Sequence, residues 1–321
     1  MINGARRMSC KAGPAEAGLK LAVFLAARFK YHTAGEWAGL AAAGALLVNG
    51  RAAGPELALS AGDEVSYEPP YRPEPRVDRA VKVLYEDADI MAVSKPGNLP
   101  AHPAGRYFRN TLWGVLKDDL DLAEPDIINR LDRETSGVTL VAKNRRAAAA
   151  CRAQFEARSV VKFYTAFAEG DFKGPLRARG YIVPCAGSAI RKKRLFVPSE
   201  ADAPEPGREA DWADTYFKPL RRAGGLTELD VRPYTGRLHQ IRATLLALER
   251  PLAGDKMYGL DEGIFLRFLA DAMTAEDAAR MRLGRQALHA RELRFRHPED
   301  GRPMRIEAPL PDDLAALRPV D

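Results

Sequence analysis

The chain is poor in cysteine: Cys10, Cys151 and Cys185 are the only three in 321 residues, and no two stand in C-x-x-C spacing. That argues against a zinc ribbon or a disulfide scaffold and suits a reducing compartment. No stretch reaches the roughly 18 consecutive apolar residues that a membrane helix needs. The opening "MINGARRMSCKAG" has no apolar core of a secretory signal. A cytoplasmic protein with no membrane partner is expected. There is no repeat and no low-complexity tract. No motif has metal-ligand spacing, so neither a metal nor a cofactor is expected.

What the chain does have is enough apolar material for a full core. Hydrophobic residues make up 46% of 321, which suits one large domain with a smaller appendage. The 49 Lys and Arg outnumber 43 Asp and Glu for a net charge of +6, a mild lean toward a polyanionic partner. Arg177, Arg179 and the run Arg191, Lys192, Lys193, Arg194 crowd one stretch, although such a run is often only a solvated face.

Periodicity divides the chain. Leu21, Phe24 and Leu25 mark one helix, and a second passes through Trp37 and Leu40. Asn49-Gly50 between apolar residues is a strong hairpin signal. Residues 1–70 are therefore expected to form a small α/β module. "EPPYRPEPR", residues 68–76, is too rich in proline to continue a helix or a central strand, and 71–80 is expected as a linker. From Val81 onward short β-rich runs alternate with helical stretches, which predicts an α+β domain over 81–321. Within it, 198–212 is expected as an exposed loop and 261–283 as a helical or loop insertion.

Four stretches carry chemistry. "NRLDRETSG", residues 129–137, sets Asp132 between Arg130 and Arg133 at the edge of a strand beginning near Val138. An exposed ion pair would explain that alone and would contribute little. In "VKFYTAFAEG", Lys162 and Tyr164 alternate along a strand and so share a face. "PYTGRLHQIR" clusters Arg237, His239, Gln240 and Arg242 at a helix start after the turn at Gly236. "RQALHARELRFRHP" adds Leu288 and a basic-aromatic mixture.

Together these blocks resemble the RluA-type pseudouridine synthase family from about Val83 to Pro309. "NRLDRETSG" is similar to the family's H-R-L-D-x-x-T-S-G signature, with Asn129 where the family has His, and "TGRLHQIR" and "LHARELRFRHP" are similar to two further blocks in the same order. "VLYEDADIMAVSKPGNLPAHP" is similar to the segment that opens the family's catalytic domain. The resemblance implies a catalytic domain around a mixed, largely antiparallel sheet. It also implies an isomerase that converts uridine to pseudouridine in RNA, ribosomal RNA first and transfer RNA second, working without a cofactor and as a monomer. Asp132 becomes the catalytic carboxylate, as nucleophile or in removing a ribose proton. Arg242 keeps it charged, and Tyr164 stacks on the base. Arg130 fills the space left by a flipped uridine, Arg133 holds phosphate, Lys162 and Arg237 touch RNA, and Leu288 packs on the base. Residues 19–67 resemble an S4 RNA-binding module, with Lys20, Arg28, Lys30 and Arg51 as its phosphate contacts.

A histidine near a helix start is more often structural than an acid-base group, so His239 is not counted among the catalytic residues. Two other readings compete. A glycoside hydrolase needs a second carboxyl across the substrate from Asp132, and Glu134 or Glu169 would have to supply it. A non-catalytic RNA-binding protein on the same fold would have no use for Asp132, Tyr164 and Arg242 together.

Overall fold

The computed structural model describes residues 8–29, 32–67, 73–199, 209–259 and 261–318. Lys30, residues 68–72 of the proline-rich stretch and residues 200–208 of the expected loop lie outside them. The chain forms two compact units, divided after Pro73.

In the smaller unit, strands β1 (Met8–Lys11), β2 (Leu46–Val48), β3 (Arg51–Ala52) and β4 (Glu64–Tyr67) form a sheet in the order β1-β4-β2-β3, with helices α1 (Leu21–Arg28) and α2 (Ala34–Ala42) between β1 and β2. Thr33 caps α2 in a capping box with Glu36, which satisfies donors the helix leaves open. Asn49 and Gly50 both take positive φ, 52° and 80°, in a two-residue turn that pairs Val48 with Arg51. Leu21, Phe24, Leu25, Trp37 and Leu46 close the core of this unit.

In the larger unit the strands are β5 (Lys82–Glu86), β6 (Ile90–Lys95), β7 (Asp126–Ile127), β8 (Ser136–Ala142), β9 (Val161–Glu169), β10 (Leu176–Pro184), β11 (Arg194–Pro198), β12 (Asp211–Ala223), β13 (Leu226–Pro233), β14 (Leu288–Arg296) and β15 (Pro303–Glu307). They form one eleven-stranded sheet in the order β11-β10-β12-β13-β9-β14-β8-β6-β5, with β15 on β14 and β7 on β8. Its helices are α3 (Leu112–Asp118), α4 (Arg145–Glu156), α5 (Gln240–Ala247), α6 (Gly263–Leu269), α7 (Ala275–Arg280) and α8 (Asp312–Ala315). The expected insertion at 261–283 thus contributes two short helices, α6 and α7.

Every pairing is antiparallel except β14 with β8, where only His289 with Ser136 and Ala290 with Gly137 meet in parallel. There a Cβ on Gly137 would stand 2.1 Å from the Ala290 carbonyl oxygen, and its φ is +119°. Only glycine allows that approach. It brings the loop that ends in β8 against β14. Two apolar clusters hold this junction from below: Ala166, Val231, Ile241, Leu245 and Leu288 under α5, and Val138, Leu140, Ala147, Cys151 and Leu293 under α4.

The stretch expected as a linker belongs to the larger unit from Glu74 onward. The Glu74 carboxylate accepts the backbone N–H groups of Phe108, Arg109 and Asn110 at 2.8, 2.9 and 2.8 Å. Arg79 pairs with Asp119 at 2.9 Å. Proline prevents regular structure there without preventing packing.

Candidate active site

Asp132 lies in the tight turn that leads into β8. The Thr135 N–H closes it on the Asp132 carbonyl at 3.1 Å, and buried Leu131 anchors it. Asn129 holds the other side. Its amide donates to the Val138 carbonyl at 3.1 Å and accepts the Leu140 N–H at 2.7 Å, so it pairs with β8 as a length of strand would. The departure from the family histidine therefore supports the turn and does not touch the Asp132 carboxylate.

Arg242 comes from α5, a helix buried along most of its length. Its Nη1 donates to Asp132 Oδ2 at 2.7 Å. Its other edge makes a two-point pair with Asp255, Nε to Oδ2 at 2.7 Å and Nη2 to Oδ1 at 2.9 Å. Asp255 also accepts the N–H groups of Met257 and Tyr258 at 3.0 Å each, so its charge is fully compensated inside the protein. The guanidinium lies 4.8 Å from the centre of the Tyr258 ring. One arginine is thus locked on three sides and offers its last edge to Asp132.

Burial opposes the Asp132 charge, but Arg242, His239 and the hydrogen bonds from Arg242 and Gln286 outweigh it and hold the carboxyl below the usual range. The Gln286 amide reaches Oδ2 at 3.5 Å and also donates to the Thr135 hydroxyl. Oδ1 accepts no hydrogen bond from any described residue. His239 Nε2 stands 3.9 Å from Oδ1.

His239 takes a left-handed backbone, φ +55°, at the start of α5, a strained choice for a residue other than glycine or asparagine. The Tyr258 hydroxyl accepts the Arg194 N–H at 2.8 Å, which leaves its own hydrogen for His239 Nδ1 at 2.9 Å. From that count of donors we assign the Nε2–H tautomer, with the N–H directed to the side of Asp132. Burial holds the ring down to about 4, against which the Asp132 charge pulls upward, so it is neutral at pH 7.

Lys95, fully buried, ties the "SKPGNLP" segment to the Asp132 turn. Its Nζ donates to the carbonyls of Pro96 at 2.8 Å, Leu99 at 2.9 Å and Arg133 at 3.1 Å. Burial lowers its pKa to about 7, while the three acceptors match the three hydrogens of the charged form. Lys256 in turn holds Glu134 at 2.8 Å.

The other expected residues fall into three groups. Tyr164 is on β9, half-buried among the residues under α5, and its hydroxyl is pushed well above the usual value by burial and by the Asp132 charge. Arg130 is exposed and has no hydrogen-bond or ion-pair partner among the described residues. The remaining cations have protein partners. Arg133, expected to hold phosphate, donates to the Tyr107 hydroxyl at 2.7 Å and to Glu134 at 3.0 Å and lies 4.6 Å from the Phe268 ring. Arg237 donates to the Trp212 carbonyl at 3.0 Å and pairs with Asp211 at 3.1 Å, and Lys162 donates to the Thr235 carbonyl at 3.3 Å. Leu288 is buried in the core between β9 and α5.

Lys95, Asp255, Tyr258 and Gln286 are missing from the expected set. Asp255 and Tyr258 lie in "GDKMYG", residues 254–259, separated by eleven residues from the end of "TGRLHQIR". The signal for them was that a buried arginine needs a second acid.

Comparison with known proteins bears on what this centre does. The family described as RNA pseudouridylate synthase matches residues 89–247. Ribosomal large subunit pseudouridine synthase D of Pseudomonas aeruginosa is 31% identical over 308 residues, 94% of this chain and 91% of that protein. The chain belongs to the RNA pseudouridine synthase family. The protein of the same description from Nitrosomonas europaea is 34% identical over 242 residues, and the match spans 74% of this chain and 64% of that one. Among solved structures, human RNA pseudouridylate synthase domain containing 1 shares the fold, with a TM-score of 0.57 at 24% identity over 74% of this chain and 86% of that one. Members of the family are isomerases that convert uridine in RNA to pseudouridine.

At this centre the Asp132 carboxylate has one oxygen, Oδ1, that accepts no hydrogen bond from a described residue. Glu134 is bound by Lys256 and Arg133, and Glu169 pairs with Arg282 at 3.1 Å. Neither is free to act as the second acid of a glycoside hydrolase.

Proposed function

We propose that the protein converts uridine to pseudouridine in large-subunit ribosomal RNA, with Asp132 as the reacting carboxylate. The reaction breaks the bond between uracil N1 and the ribose, turns the base and rejoins it through C5, whose proton is lost while N1 gains one. It is redox-neutral. The observation that carries the reading is the asymmetry of Asp132: Oδ2 is held by Arg242 at 2.7 Å, while Oδ1 has no hydrogen-bond donor among the described residues. An ionised oxygen kept unoccupied serves equally as a nucleophile or as the acceptor of a ribose proton.

Several features support the rest of the reading. A stacked uridine must leave its helix before it reaches a side chain, at a cost of a few kcal/mol. Arg130, exposed and without a partner among the described residues, would fill the gap. Tyr164 supplies a ring for the flipped base. Arg133, Lys162 and Arg237, already partnered, shape the groove and offer phosphates only the donors left over. Residues 19–67 act as an S4-like accessory grip on RNA. The relatives' names point to the large ribosomal subunit. We place the enzyme in the cytoplasm, acting as a monomer.

The test is incubation of the full chain with unmodified large-subunit ribosomal RNA and, separately, with tRNA, followed by mapping of pseudouridine. Pseudouridine at a discrete rRNA site is expected. Modification of tRNA alone would overturn the choice of RNA, release of free uracil would point to a hydrolase, and binding without turnover would point to a non-catalytic protein.

A further inference from the structure

Apart from Lys193 and Arg194, which meet Tyr258, the basic stretch at 177–194 has no part in the Asp132 site. Its members separate in the fold. Lys193 is tied to Glu262 at 2.6 Å and Arg194 lies 3.9 Å from Glu209, whereas Arg177 and Arg179 lie on β10 in a different setting. Arg177 stands opposite Tyr216, and Tyr216 opposite Arg232. Arg232 and Phe163 adjoin Val231 and Tyr164, which pair with each other and point toward α5. Because side chains alternate along a strand, the row Arg177, Tyr216, Arg232, Phe163 lies on the opposite face of the sheet from Tyr164.

That row is built as a lattice of guanidinium groups and rings. Arg232 lies 4.6 Å from the centre of Tyr234 and 5.8 Å from that of Phe163, and Arg177 lies 4.5 Å from Tyr234. Arg291 and Arg294 approach the other side of Phe163 at 5.7 and 5.0 Å. Arg291 pairs with Asp230 at 2.8 Å and Arg294 with Glu292. Arg177 and Arg179 share Asp214, at 2.8 and 3.5 Å, and Arg232 has no acidic partner among the described residues. An arginine held against rings loses little side-chain freedom when it pairs with an anion, and Arg232 donates no hydrogen bond to any described residue, whereas Arg177 already gives Nε and Nη2 to Asp214. Arginines lie against the Tyr234 and Phe163 rings, so at those rings the face offers cations. Phosphate fits it better than a base does.

We propose that the face formed by β10, β12, β13 and β9 is a second RNA contact, gripping backbone phosphates outside the stretch of RNA held at Asp132. The proposal rests on the reading of the protein as an enzyme acting on RNA. It gives a large folded RNA two points of attachment, one that reacts and one that only holds.

The test compares binding of the full chain to an unmodified large-subunit rRNA transcript and to a short hairpin cut from it around the modified uridine. The variants are Arg177→Gln with Arg232→Gln, and Arg232→Gln alone, which disturbs no ion pair. For the long RNA, the double variant is expected to bind several-fold more weakly. Its slope of log affinity against log salt should fall by about 1.4 to 1.8, and by half that in the single variant. Hairpin affinity and turnover should not change. Unchanged affinity and slope for the long RNA would overturn the proposal. So would an equal loss on the hairpin, which would place these arginines in the catalytic groove. If polyglutamate competes as well as RNA and loses affinity equally in the variants, the face is a site for acidic protein instead. Failure of the wild type to form pseudouridine on either RNA would refute the functional reading, while the binding comparison would still decide this one.

Discussion

In residues 8–67 the charges stand at the rim. Lys20 pairs with Glu56 and Arg28 with Glu16 in water, around a core of Leu21, Phe24 and Trp37. The larger unit does the reverse and gathers Asp132, Arg242 and Asp255 in its interior. Exposed pairs contribute little, because water screens them and long side chains lose freedom to form them. Buried charges depend on complete pairing, since the interior offers no other solvation. The small unit can therefore lose a charge with little consequence, and the buried Asp132–Arg242–Asp255 cluster of the large one cannot.

The sharpest way to break that contrast is to take away the central cation. Arg242→Gln leaves Asp255 buried with two N–H donors and no cation, and should lower stability by about 3 to 5 kcal/mol, read as the shift of a denaturant midpoint. It should also lower kcat about 10²- to 10³-fold, because the carboxylate loses its fixed electrostatic partner. Lys95→Met comes next. Three carbonyls then lose their donor, and a loss of about 3 kcal/mol is expected in the same measurement.

A milder disturbance is acid. His239 and His289 are both held near 4 in the folded protein, chiefly by burial. The unfolded chain takes up those protons near pH 6.5. The stability they contribute is complete above about 6.5 and is lost as pH falls toward 4. Asp132 and Asp255, held below the carboxylate range, add their losses at lower pH. The melting temperature should decline as pH falls below about 6.5, and a midpoint flat from there down to pH 4.5 would contradict this.

The smallest effect should come from removing the small unit. A chain beginning at Pro73 keeps Glu74 and its three N–H partners and should fold. Its kcat should stay near that of the full chain. Lys20 and Arg28 already have acidic partners, and of the three described phosphate contacts Arg51 alone has none among the described residues, so the salt slope should fall by only about 0.7 to 0.9.

The parts of the site that were legible in the sequence are those written in contiguous motifs: the Asp132 turn, the "HQIR" helix start and the alternation that sets Tyr164 on one face of β9. The mixed sheet was legible for the same reason. What escaped was whatever depends on burial of charge. Nothing local in "SKPG" says that Lys95 is sealed under three carbonyls, or that Asp255 meets Arg242. Arg133 looked available because its partners Tyr107 and Phe268 lie more than twenty residues away on either side. The proline-rich stretch read as a linker because composition reports the lack of regular structure and not the Glu74 contacts that fasten it.

Asp132→Asn tests most directly the proposed role of Asp132, whose Oδ1 accepts no hydrogen bond from a described residue. The substitution keeps the shape of the side chain and removes its charge. Measured with unmodified rRNA, pseudouridine formation should disappear while RNA affinity stays within several-fold, because chemistry is removed and only one charge leaves the binding surface. Turnover near the wild-type rate would contradict the central role of Asp132.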